Sequence, residues 1–150
     1  MIEYKHTQVG WVIIIATIIM FLVLGFLTGP LSGQETFIAG VGILAVLLIL
    51  VFGWLTVEVA DEAVRVIFGI GLIHFKFMLS DIAEAQPRRI KWYSGYGIHG
   101  WPGKGWLLNV SGLDTVELIM KNGMRYLIGT DEPQDLYKAI EPTVHRVGAQ

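Results

Sequence analysis

Two uninterrupted apolar runs fill most of the first third of the chain, and alternation takes over after them. Residues 9–27 (VGWVIIIATIIMFLVLGFL) and 36–55 (TFIAGVGILAVLLILVFGWL) are apolar on every side. That is the pattern of helices solvated by lipid, since a helix on a soluble core keeps one polar face. Each run is close to the ~20 residues a helix needs to cross ~30 Å of hydrocarbon. The connection, residues 28–35 (TGPLSGQE), is short and built of turn formers, so the two spans are predicted to be antiparallel neighbours. Gly25 with Gly29, and Ala39, Gly42 and Ala45, are small enough to let helices approach closely. Residues 1–8 read as a polar N-terminal tail.

From residue 57 the period changes to two. Val57 and Val59, then Val64, Val66 and Phe68, share one face, with Glu58 and Arg65 on the other and Asp61-Glu62 at the turn; this predicts a hairpin. Gly69-Ile70-Gly71 marks the next turn. A strand follows over 72–79, with Ile73, Phe75, Phe77 and Leu79 inward and His74 and Lys76 outward. Residues 82–92 form a further strand, and Pro87 within it predicts an edge or a bulge. A loop is expected over 94–105, then strands at 107–110, 115–120 and 124–128, the last two joined by a turn with Asn122-Gly123 at its tip. Asp131 is expected to cap a terminal helix with Pro133 in its first turn and Gln134 at the capping-box position. Leu136, Ala139, Ile140, Val144 and Val147 line one side, and Pro142 is expected to kink or end the helix. The chain thus divides at residues 1–55 (tail and helical hairpin) and 56–150 (polar domain).

Charge placement orients this plan. No Asp, Glu, Lys or Arg lies between Lys5 and Glu35 or between Glu35 and Glu58. Beyond residue 55, ten Lys and Arg face eleven Asp and Glu, a near-neutral balance that argues against nucleic acid as a partner. The loop between the spans carries no basic residue, whereas Lys5, Arg65, Lys76, Arg88, Arg89 and Lys91 flank them. The positive-inside rule then puts both termini in the cytoplasm, with Trp11 and Trp54 as anchors at the cytoplasmic membrane interface. The start MIEYKH is not the basic region of a signal peptide. With no cysteine in the chain, disulfides and thiol chemistry are excluded. The hydrophobic share of 53% and mean hydropathy of +0.57 agree with a membrane protein.

About seven strands closed by an amphipathic helix resembles the pleckstrin-homology (PH) plan, in particular the bacterial PH-like domains that follow a transmembrane hairpin. The stretches carrying the resemblance are FGIGLIHFKFMLSDIAEA (68–85), GWLLNVSG (105–112) and NGMRYLIGTDEPQDLYKAI (122–140). The resemblance implies a membrane α-helical hairpin plus an α+β domain, a seven-stranded β-sandwich or barrel with a C-terminal capping helix, in a bacterial cytoplasmic (inner) membrane. The lipid-binding PH domains of eukaryotes place Lys and Arg around their first hairpin and usually a Trp in the last helix. Here the hairpin tip is Ala60-Asp61-Glu62-Ala63 and the helix offers Tyr137, so phosphoinositide recognition does not carry over.

Candidate chemistry is sparse. GYGIHG (95–100) matches G-x-G-x-x-G in letters, but Trp101-Pro102-Gly103 follows it instead of a helix start. His6, His74, His99 and His145 lie in no metal-ligand spacing, and Ser80-Asp81 has no organised partner for nucleophilic work. No cofactor, metal or catalytic residue is expected. The segment of interest runs through Arg88, Arg89, Lys91, Trp92 and Tyr93, with Tyr96, Trp101 and Trp106 beyond it; basic residues beside amphipathic aromatics suit a protein partner or anionic headgroups. The expected function is a non-catalytic accessory or scaffold subunit that docks other membrane-complex subunits or copies of itself. A membrane-anchored anionic-lipid-binding module is the alternative.

Overall fold

The computed structural model describes residues 2–28, 35–101 and 105–147. Two helices, α1 (Trp11–Thr28) and α2 (Glu35–Phe52), are each 18 residues long with mean hydropathy 2.7 and 2.5. They are long and apolar enough to cross a membrane, and they are not core helices, since only Thr17 in one and Ala45 in the other are buried. Those two residues sit at the contact between the helices, where Gly42 also meets the Phe21 ring. Of the other small residues expected to help, Gly25 faces open space and Ala39 is exposed, while Gly29 lies outside the described residues.

Among the described residues nine strands form two sheets. The first is an antiparallel run of β1 (Ile2–Val9), β2 (Trp54–Ala60), β3 (Ala63–Phe68) and β4 (Ile73–Met78) in that order. The second contains β5 (Ile82–Arg89), β6 (Gly97–Trp101), β7 (Gly105–Asn109), β8 (Asp114–Met120) and β9 (Arg125–Gly129), in the order β5-β8-β9-β7-β6. All pairings are antiparallel except β7 with β9. The apolar faces of both sheets meet in one core: Leu55, Val57, Val59, Val64, Val66 and Phe68 from one side, Leu108, Val116, Leu118 and Ile128 from the other. Helix α3 (Pro133–Val147) closes it with Leu136 and Ile140, both fully buried. The result is an α+β domain behind an apolar helical pair.

Several expectations change. The N-terminal residues are not a tail: they form β1, whose Val9 lies opposite Trp54 and Lys5 opposite Glu58. Their side chains show no apolar alternation, so only pairing with β2 reveals the strand. The second apolar run ends as a helix at Phe52; Trp54 and Leu55 already belong to β2, and Leu55 is fully buried in the domain core. Residues 97–101, expected as loop, pair with β7 as β6. These two additions raise the expected seven strands to nine. Helix α3 runs past Pro142 to Val147, so the proline does not end it. Asp131 does not begin that helix; Glu132 lends its carbonyl to the Leu136 N–H, and the Asp131 carboxylate sits 2.6 Å from His6 Nε2. Pro87 does fall in an edge strand, where its missing N–H costs the ladder little.

The junction between helices and sheet is short. Gly10 alone separates β1 from α1, and Gly53 alone separates α2 from β2. The Gly10 N–H donates to the Gly53 carbonyl at 2.8 Å. A Cβ at position 10 would lie 3.0 Å from the Phe52 oxygen and 3.1 Å from Val110 Cβ. The β3–β4 turn seals the other side: the Gly69 N–H donates to Trp54 O at 2.8 Å and the Ile70 N–H to Leu50 O at 3.0 Å. The Asp61-Glu62 hairpin tip, with positive φ at both residues, lies at the opposite end of β2, away from the helices.

Two outcomes follow from this packing. Gly69 has φ +47 and a Cβ there would overlap the Leu50 carbonyl oxygen. Gly69→Ala should therefore destabilise the protein by at least the ~1–2 kcal/mol of a left-handed non-glycine residue, read as a lower unfolding temperature in detergent. Tyr4 on β1 donates to Glu132 Oε2 at 3.4 Å; burial, reinforced by that carboxylate, pushes its phenol up from 10.0 to about 12. Because the folded value is the higher, this contribution to stability is complete below about pH 10 and is lost as pH rises through about 12. Alkaline unfolding curves of Tyr4→Phe should lack that component.

Candidate functional site

The outward face of the second sheet is not simply solvated. Along β8, Val116, Leu118 and Met120 enter the main core, so Thr115 and Glu117 face the other way. Glu117 is nonetheless fully buried. Arg88 Nη1 reaches both its oxygens at 3.0 and 2.9 Å, Gln86 Nε2 donates at 2.9 Å, and Arg125 Nη1 stands 3.5 Å away. Taking a carboxylate out of water is tolerable only with such charge-assisted partners. Thr115 Oγ1 donates to the Arg88 carbonyl at 2.7 Å and fixes the same strand. Beside them Ile90, Leu107 and Leu127 form a small second apolar cluster.

The chain then folds over this cluster. The Ile90 N–H donates to Leu113 O at 2.8 Å, and a short 3-10 turn carries Trp92, Tyr93 and Ser94. His99 Nε2–H donates to the Ser94 carbonyl at 2.5 Å and holds the turn down. Between the turn and the sheet is an open cleft of about 510 Å³ bordered by Arg88, Arg89, Lys91, Tyr93, Ser94 and His99. Arg89 is largely exposed, its Nε 3.9 Å from Asp114. Lys91 Nζ lies 5.5 Å from the Tyr93 ring centre, and Trp92 meets Tyr93 edge-on at 5.9 Å. Trp92 is 78% and Tyr93 64% exposed, which is unusual for rings of this size.

Five of the singled-out residues therefore come together: Arg88, Arg89, Lys91, Trp92 and Tyr93. Tyr96 lies just past the turn and is half-buried. Trp106 does not join them. It precedes Leu107 on β7 and takes the opposite face, 43% exposed at the far end of the sheet. The Trp101 side chain lies outside the described residues. Trp11 is 61% exposed in the first turn of α1, and Trp54 flanks it as the residue after Gly53, in a strand instead of a span. The histidines do not converge: His6 is paired with Asp131 and Glu132, His74 points outward from β4, and His99 holds the turn. The His145 side chain lies outside the described residues. Glu117 and Arg125 were not legible in the sequence, because alternation alone assigns both to a solvated face.

Position in the fold adds one feature. Strand β7 ends at Asn109, and Ser111 just beyond accepts from Gln8 Nε2 at 2.9 Å, close to the start of α1. Gly97 lies opposite Asn109, and β5 runs in the direction that brings Arg89 opposite Asp114. The basic-aromatic turn thus occupies the end of the sheet nearer the helices. The chain matches no family model and no curated protein.

The buried ion cluster separates structural from surface roles within one short segment. Arg88→Ala should destabilise by ~1–3 kcal/mol, the cost of weakening the satisfaction of a buried acceptor. Arg89→Ala and Lys91→Ala should stay within about 0.5 kcal/mol of the parent. Thermal unfolding of the three variants checks this.

Proposed function

We propose that the protein is a non-catalytic, membrane-anchored accessory subunit whose polar domain docks other proteins of a membrane assembly, or a second copy of itself, through the basic-aromatic turn. The observation that carries this reading is the double junction. Two helices suited to a bilayer run, through one glycine each, into paired strands β1 and β2. A domain tied in that way cannot sweep out a volume as a tethered recruiter does; it presents a fixed surface at a fixed height. Exposed Trp92 and Tyr93 beside Lys91 have the composition of binding anchors.

In this reading α1 and α2 span the bacterial inner membrane and both chain ends are cytoplasmic. Pairing of β1 with β2 supports the common side of the two ends, and the basic residues near that side support its being cytoplasmic. Two sheets packed on a shared core with a closing C-terminal helix support the PH-like interpretation; nine strands and the parallel β7–β9 pair are additions to a seven-strand plan.

A second reading is favoured by one observation, that the turn lies at the helix-proximal end of its sheet. Lys91 and Arg89 there would meet anionic headgroups, each basic residue contributing ~1 kcal/mol. Lipid contact of this size would supplement helices that already anchor the chain.

Extraction in mild detergent, with crosslinking in native membranes, should recover the protein in a larger complex. Trp92→Ala with Tyr93→Ala should reduce that recovery at least ~10-fold if both are anchors, at unchanged unfolding temperature. A monodisperse monomer with no crosslinked neighbour would overturn the docking reading. In the second reading, Arg89→Glu with Lys91→Glu should instead reduce the anionic lipid retained on purification.

A further inference from the structure

We infer that the β3–β4 turn, residues 69–72, is a third membrane contact: Ile70 and Leu72 enter the boundary between headgroups and acyl chains beside α2. The inference rests on the reading of α1 and α2 as spans. An 18-residue helix is about 27 Å long, slightly less than a ~30 Å hydrocarbon layer, so the layer reaches to both ends of α2. Leu50 lies about 3 Å inside that end. The Ile70 N–H is hydrogen-bonded to the Leu50 carbonyl at 3.0 Å, where the N–H four residues on would sit in a continuing helix, so the backbone of the turn is at the level of the helix end. Its side chains fit the place: Ile70 is 57% and Leu72 70% exposed.

The bond also does something a helix end in lipid requires. Water is scarce there, and the last carbonyls of a helix need donors from elsewhere. Gly53 N–H supplies Ile49 O at 2.7 Å, and the turn supplies Leu50 O.

The outer face of the first sheet grades toward the same level. Register places Lys5, Glu58, Arg65 and Lys76 in one row across the four strands. The next row toward the helices is Thr7, Thr56, Ile67 and His74, and the last is Val9 and Trp54 with the turn beside them. Charged, then mixed, then apolar side chains follow the polarity of an interface from water inward. The occupant is the bilayer itself, continuous with the lipid-facing surface of α2.

The chain has no cysteine, so single nitroxides can be attached to the full-length protein in phospholipid vesicles through Leu72→Cys, Glu62→Cys and Ile43→Cys. Ile43 is an outward residue of α2, 63% exposed, and Glu62 is at the distal hairpin tip. Collision with oxygen, which partitions into lipid, and with a water-soluble nickel chelate reports the depth of each. The expected result is a label at 72 that lies between the other two, richer in oxygen contact and better shielded from the chelate than the label at 62, with the label at 43 the deepest. A label at 72 matching the one at 62, with 43 in lipid, overturns the inference and leaves the spans intact. Chelate access at 43 overturns the span reading and this inference with it.

Discussion

The hydrogen bond from Gly10 N–H to Gly53 O, 2.8 Å long, joins the point where both helices become strands, and the remaining geometry depends on it. Strands β1 and β2 are neighbours in a sheet, so the helices that continue them must emerge side by side. A Cβ at position 10 would press tightly on Phe52 O and Val110. Phe52, the last residue of α2, packs edge-on against core Phe68 at 6.0 Å, so the helical pair is bonded to the domain interior as well as to its edge. Backbone hydrogen bonds and core packing both oppose hinge motion at this place, and no linker exists to absorb it.

Rigidity at one end gives meaning to position elsewhere. Because the first sheet is locked to the helices, every row across it has a definite distance from their ends. The second sheet shares the core with the first, and the Gln8–Ser111 contact ties its helix-proximal end to the same level. The basic-aromatic turn is held in turn by its own small core, by His99 and by the strand on which Arg88 grips Glu117. The clustering of exposed rings there comes from a framework built beneath them, since Ile90 is buried while Trp92 and Tyr93 two and three residues on are not.

Glu117 shows how one segment holds two kinds of basic residue. Arg88 serves a carboxylate with no solvent contact, whereas Arg89 and Lys91 are directed to the surface. Adjacent residues of an edge strand point to opposite sides, and beyond Arg89 the chain leaves the sheet, so neighbours in sequence acquire unrelated roles.

Much of this was legible without coordinates. Two helices able to span lipid followed from apolar runs free of charge, because lipid tolerates no other composition. The hairpins at Asp61-Glu62 and Asn122-Gly123, the inward set Ile73, Phe75 and Phe77, and the Leu136–Ile140 face of the last helix followed from period and turn chemistry, which are local. What tertiary structure alone decided is non-local. Strand β1 carries polar side chains and exists because β2 offers it a ladder; β6 is glycine-rich and exists because β7 does. Glu117 is buried because Arg88 and Gln86 from β5 and Arg125 from β9 converge on it, and Ile70 reaches α2 because the turn beside it closes onto Leu50. A hydrogen-bond partner distant in sequence leaves no periodic trace, and for that physical reason these features belong to the fold and not to the pattern.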